Sequence, residues 1–173
     1  MRIGIIGLGG VGRAFLSLLD EKKDELTEIG IHTEIIFAVN STSGCKDQEG
    51  IDISEILDHL GRSRDLSSFE GGFAGGDIKK LLVESQIDLL IEATPTNKVT
   101  GEPAMSHIRC ALERGIHVVT ANKGPIMLDY KGLREIGEKA GARLGIGCTA
   151  GGALPTISSG DHDLLGAKIL GRS

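Results

Sequence analysis

Tryptophan is absent from this 173-residue sequence, and aromatic residues make up only 3% of it. No apolar run approaches the roughly 20 residues that a bilayer-spanning helix needs, so no membrane partner is expected. The N-terminus starts at once as a strand, without the basic-then-apolar order of a secretion signal. Positive charge is not in excess: 19 Lys and Arg against 24 Asp and Glu leave a net charge of -5. That balance argues against a nucleic-acid partner and supplies no basic stripe for a membrane surface. Cys45, Cys110 and Cys148 are odd in number, lie far apart and have no zinc spacing. They suggest no disulfide framework, and a reducing cytoplasm is the expected location. No unit repeats at a fixed period, and no linker divides the chain. The length suits one domain with a two-faced core.

What the chain has in quantity is glycine, 26 residues, about twice the usual fraction. The strict period of three that collagen requires is missing, and many tight strand–helix turns are the fitting use. Residues 2–6, 33–39, 87–92, 116–120 and 142–148 predict strands, and 10–20, 52–60, 77–85, 102–114 and 130–140 predict helices. The first helix is expected to bury Val11, Phe15, Leu18 and Leu19 on one face and to extend through DEKKDELTEI. Asp52 followed by Glu55 fits a capping box, and Pro103 sits near the first turn of its helix. Gly115 and Gly141 stop the helices before them, and residues 40–51 and 61–76 are expected to be loops. Strands separated by helices imply parallel pairing with right-handed crossovers. Unbroken apolar strands suit a sheet covered on both faces. The expected fold is α/β: a doubly wound, mostly parallel Rossmann sheet with helices on both faces and a ligand crevice at the carboxyl ends of its strands.

The opening MRIGIIGLGGVGRAF places Gly7-Leu8-Gly9-Gly10-Val11-Gly12 between the first strand and the first helix. In a Gly-x-Gly-x-x-Gly turn, Gly7 lets the chain turn tightly and Gly9 leaves room for a pyrophosphate. Gly12 lets the helix lie close to the strand. The helix start offers unpaired N–H groups and a positive dipole end to phosphates. The alternative is a tight turn and nothing more. The second strand ends Val39-Asn40-Ser41-Thr42. Asn40 can hydrogen-bond a ribose without repelling a 2′-phosphate as a carboxylate would, and Ser41, Thr42 and Lys46 can accept that phosphate. No arginine stands in this loop. The cofactor expected is NADP or NAD, with a lean to NADP; the alternative is that these residues make a turn.

More specific words follow: IEATPTN (91–97), GEPAMSHI (101–108), HVVTANKGP (117–125) and GGALP (151–155). With the opening motif they resemble homoserine dehydrogenases, in their cofactor-binding half, over nearly the whole chain. The resemblance implies reversible NAD(P)-dependent oxidation of L-homoserine to L-aspartate 4-semialdehyde, on the route to threonine, methionine and isoleucine. It implies that Ala93, Thr94 and Pro95 line the nicotinamide side of the crevice, with Asn122 and Lys123 following the next strand. Lys123 matches the family's motif lysine, which polarises the reacting hydroxyl or relays its proton; an ammonium in a dry cleft suits that role. The alternative is a surface lysine in an Asn-Lys-Gly turn. Glu92 is expected to hold neighbouring backbone N–H groups. His107 and His117 are expected to be packed or surface residues, and Cys148 a small buried hydrophobe.

The chain departs from the family in three places. The family's turn before GGALP begins with a glutamate and can hold a monovalent cation; Gly147 stands there. The matching carbonyls would be those of Ala150, Gly152 and Leu154. The family's aspartate after the second strand is Asn40. Family members also continue into a region that forms a homodimer and binds homoserine. The expectation is therefore a dinucleotide-binding domain over residues 1–155 and the start of that second region over 156–173. A non-catalytic NAD(P)-binding regulatory module, one subunit of a split dehydrogenase and another semialdehyde or amino-acid dehydrogenase remain the alternatives.

Overall fold

The computed structural model describes residues 1–149. In chain order the elements are β1 (Arg2–Ile6), α1 (Gly10–Glu21), α2 (Lys23–Glu28), β2 (Glu34–Val39), β3 (Ser43–Ile51), α3 (Ile53–Arg62) and β4 (Gly72–Ala74). They continue with α4 (Ile78–Glu84), β5 (Leu89–Glu92), α5 (Ala104–Leu112), β6 (His117–Thr120), α6 (Lys123–Ala140) and β7 (Leu144–Gly145). One seven-stranded sheet has the order β4-β3-β2-β1-β5-β6-β7. Strand β1 pairs in parallel with β2 and β5, and β5, β6 and β7 are parallel in turn. The order reverses at β1, which opens a crevice above the carboxyl ends of β1 and β5.

Each face carries its own core. Leu16, Ile56, Leu60 and Leu66 pack with Ile3, Ile5 and Ile35 on one side. Leu81, Leu82, Ile108, Leu112 and Leu133 pack with Phe37, Leu90 and Val118 on the other. Gly4 is explained by the second core: a Cβ there would overlap the ring of Phe37.

The sequence expectations need correcting at four places. Residues 40–51 are not a loop: β3 folds back antiparallel on β2, and β4 adds a further antiparallel strand. The segment is too polar to read as a strand because the middle of β3, from Asp47 to Glu49, is exposed. On α1 the buried residues are Gly12 and Leu16, flanked by half-buried Phe15 and Leu19, whereas Val11 and Leu18 are 56% and 52% exposed. The helix rolls to this face because Gly12 sits against the carbonyl of Gly7. It also ends at Glu21, and α2 is a separate helix after Lys22. Finally, α6 starts at Lys123 and is broken at Asp129, whose carboxylate accepts a hydrogen bond from the Gly132 N–H at 3.1 Å. The remaining local signals are realised: Asp52 accepts from the Glu55 N–H, and Gly141 ends α6 at φ 75°.

Candidate functional site

The first strand–helix turn builds the centre of the crevice. Gly7 has φ 102°, in the left-handed region that L side chains rarely adopt. Gly12 has no room for a Cβ, which would overlap the Gly7 carbonyl oxygen. Gly9 is the opposite case: a Cβ there would meet no atom within 4 Å, and the same holds for Gly10. Gly9 is also the N-cap of α1, no side chain caps it, and the first turn carries no acid. The helix therefore turns unpaired N–H groups and its positive end toward open space.

That space is a cavity of about 1210 Å³ running along the carboxyl ends of β2, β1 and β5. Gly7, Leu8, Gly9, Gly10 and Val11 line its middle, Asn40 and Ser41 one end, and Ala93, Thr94 and Pro95 the other. Of the residues expected at a cofactor, Gly12, Asn122 and Lys123 are not in the lining. Gly12 is buried beneath the turn, as its spacing role requires. Asn122 is 1% exposed. Its amide donates to the carbonyls of Thr94 at 3.0 Å and Pro95 at 3.3 Å, and its Oδ1 accepts from the Gly124 N–H. Asn122 thus caps α6 and ties it to the loop after β5. Lys123, the first residue of α6, is exposed and not set in the dry cleft that its expected role suggested. Ala150, Gly152 and Leu154 lie outside the described residues. Among the described residues no group of three or more His, Cys, Asp or Glu is placed to hold a metal ion.

At the β2 end the structure rearranges the expected roles. The Asn40 side chain is spent on its own turn, where Oδ1 accepts from the N–H groups of Thr42 and Ser43, each at 2.9 Å. Its Nδ2 donates to the Arg64 carbonyl at 2.7 Å. Lys46 is absent from the cavity wall and faces Glu84 at 3.9 Å. In its place Arg64, brought in by the loop after α3, lines the cavity beside Ser41 and Thr42. Arg13 lines it near the glycine turn. Sequence reasoning missed Arg64 because it looked for a cation within the β2 loop. The only local hint was an exposed arginine in a Ser-Arg-Asp loop.

At the other end Glu92 is 0% exposed. It accepts from the Thr94 N–H at 3.1 Å, from the Thr94 hydroxyl, and from the Thr120 hydroxyl at 3.0 Å. The Thr120 hydroxyl in turn accepts from the Asn122 N–H at 3.0 Å. This closed set joins the ends of β5 and β6 to the start of α6, and it bears out Glu92 as a holder of backbone N–H. His107, expected to be packed or on the surface, lines the cavity, while His117 accepts from the Arg143 N–H at 3.0 Å. Cys148 is exposed, not buried, with its thiol toward the Thr120 carbonyl at 3.5 Å.

Burial pushes the Glu92 carboxyl above the ordinary carboxylate range, against the opposing pull of its hydrogen bonds. The folded chain then keeps a proton that the unfolded chain has lost. Stability from this group is complete below about pH 4.3 and is lost as pH rises through the raised folded value. Glu92→Gln, which cannot ionise, should flatten that decline, so its melting temperature should gain on the wild type as pH rises above about 4.3. Parallel curves for the two proteins would refute this.

The sequence model of the family described as homoserine dehydrogenase, NAD binding domain, matches residues 7–146. The homoserine dehydrogenase of Methanocaldococcus jannaschii is 32% identical over 171 residues, covering 98% of this chain and 51% of that protein. The NAD(+)-dependent homoserine dehydrogenase of Pseudomonas canavaninivorans is 30% identical, covering 98% and 49%. In fold, a hyperthermophilic archaeal homoserine dehydrogenase solved in complex with NADPH matches with a TM-score of 0.79 at 23% identity, covering 91% of this chain and 47% of that one. The chain spans about half the length of these relatives.

Proposed function

The chain belongs to the homoserine dehydrogenase family through its NAD-binding domain, and we propose that it holds NAD(P) for the interconversion of L-homoserine and L-aspartate 4-semialdehyde. The observation that carries this is the open space over Gly9 at the uncapped start of α1, inside a cavity of about 1210 Å³ lined from Asn40 and Ser41 to Ala93, Thr94 and Pro95. A pyrophosphate at Gly9 meets helix N–H groups and the Arg13 side chain, with no acid in the first turn to oppose it. When bound, the nicotinamide supplies the hydride acceptor for the alcohol. Residues 93–95 give that end of the cavity its wall. Lys123 is the residue assigned to polarise the hydroxyl and take its proton, and the Asn122 cap holds the helix that carries it. Residues 1–155 form the cofactor domain in this proposal, and the substrate groups come from the half of the relatives that this chain does not span.

The cofactor preferred is NADP. No carboxylate lines the β2 end of the cavity, and the Ser41 and Thr42 hydroxyls and Arg64 surround the place where a 2′-phosphate would sit. Arg64→Ala is expected to weaken NADPH binding roughly tenfold, the worth of one charge-assisted hydrogen bond. NADH binding should change little. Titration of the chain with both dinucleotides, read by nicotinamide fluorescence, tests the whole proposal. Binding of neither would overturn the cofactor function, and equal losses in the variant would overturn the role of Arg64. Homoserine-dependent reduction of NADP by the chain alone is expected to be absent; turnover would show that the half of the relatives it does not span is not required.

A further inference from the structure

The cofactor proposal above leaves His107 and Glu92 without a task toward the ligand. His107 stands in the second turn of α5, in the cavity wall with Thr94, Pro95, Thr96, Asn97 and Pro103. Its side chain is only 11% exposed. Its Nδ1 is sealed from solvent and has no hydrogen-bond partner, and it lies 4.0 Å from Oε1 of Glu92. Glu92 accepts three hydrogen bonds from Thr94 and Thr120. Burial pushes the His107 imidazolium below its ordinary range, more than Glu102 raises it, so at neutral pH the ring is neutral and the pair is not an ion pair. A neutral imidazole donates from one nitrogen and accepts at the other. At a pH where Glu92 has ionised, its carboxylate faces Nδ1, so the proton belongs there and Nε2 is left as an acceptor. Such contacts are often long without ligand and tighten when one binds.

We propose that His107 is a cofactor-binding residue whose Nε2 accepts a hydrogen bond from the carboxamide N–H of the nicotinamide, with Glu92 as the positioning residue that sets its tautomer. This rests on the dinucleotide function proposed above. With the pyrophosphate at Gly9 and the adenosine ribose toward Asn40, the nicotinamide falls at the β5 end, where His107 is. The carboxamide is the one part of that ring system with N–H donors, and it can satisfy the acceptor; the ribose hydroxyls are the other donors at this end, and the analogue comparison below separates the two. Holding it fixes the rotation of the ring and therefore the direction its reactive carbon faces.

The test compares NADPH with its reduced 3-acetylpyridine analogue, in which a methyl replaces the carboxamide amine. The wild-type chain is expected to bind NADPH about fivefold more tightly, the size of one neutral hydrogen bond. In His107→Leu the two ligands should bind alike; His107→Asn, too short to reach, serves if the leucine variant does not fold. Glu92→Gln can donate to Nδ1 and reverse the tautomer, so it should abolish the preference while still binding dinucleotide. Equal wild-type affinities would overturn the proposal, and so would a preference that survives unchanged in the His107 variants. A wild-type chain that binds neither ligand would instead refute the dinucleotide function itself.

Discussion

Gly9→Val is expected to weaken NADPH and NADH binding about 100-fold, equivalent to about 2.7 kcal/mol, with the melting temperature nearly unchanged. A Cβ at Gly9 meets nothing within 4 Å, so the folded chain accommodates valine. The side chain then fills the place where a pyrophosphate would approach the start of α1. Gly12→Val should behave in the opposite way. Its Cβ would overlap the Gly7 carbonyl oxygen, and neither backbone can move without displacing α1 from the sheet. Overpacking of this kind costs about 3 kcal/mol or more, or roughly 10 °C in a domain of this size. Thermal melts and dinucleotide titrations of both variants make the comparison. Unchanged affinity in Gly9→Val would remove the glycine turn from the binding site. Unchanged melting of Gly12→Val would remove the packing argument.

Lys123→Ala is the second large effect. Joined to the half of the relatives that the chain does not span, the wild-type domain is expected to support homoserine oxidation. The alanine variant should lose at least about 100-fold in kcat, the lower range for a general acid–base group. NADPH affinity should stay within about twofold, because Lys123 lies outside the cavity lining and is exposed. Asn122→Ala separates positioning from chemistry. It removes the cap of α6 and the ties to Thr94 and Pro95, so it should lower the melting temperature, which Lys123→Ala should not. Wild-type turnover in Lys123→Ala would sink the assignment of that lysine.

Much of the architecture was legible because its signals are short. An apolar run at residues 2–6 becomes β1, and Asp52 three residues before Glu55 starts α3. The antiparallel edge was not legible. The exposed stretch from Asp47 to Glu49 has no apolar alternation to report; what makes β3 a strand is its ladder with β2. The face of α1 was misjudged for a similar reason. Helical spacing alone allows Val11 and Leu18 on the buried side, but the close contact of Gly12 with Gly7 sets the roll.

The same division holds in the site. The glycine turn carries its whole geometry within six residues, because backbone conformation and local clashes decide it; the sequence by itself therefore determined the turn proposed to hold the phosphates. Arg64 meets Asn40 across 24 residues, and His107 meets Glu92 from a different element. Those meetings depend on the hairpin of β2 and β3, the loop after α3 and the packing of α5 on the sheet. No single segment encodes them, since each is the sum of many small registers and crossings. Only the tertiary structure decided which cation stands beside the Ser41 and Thr42 hydroxyls, and which imidazole faces the buried carboxylate.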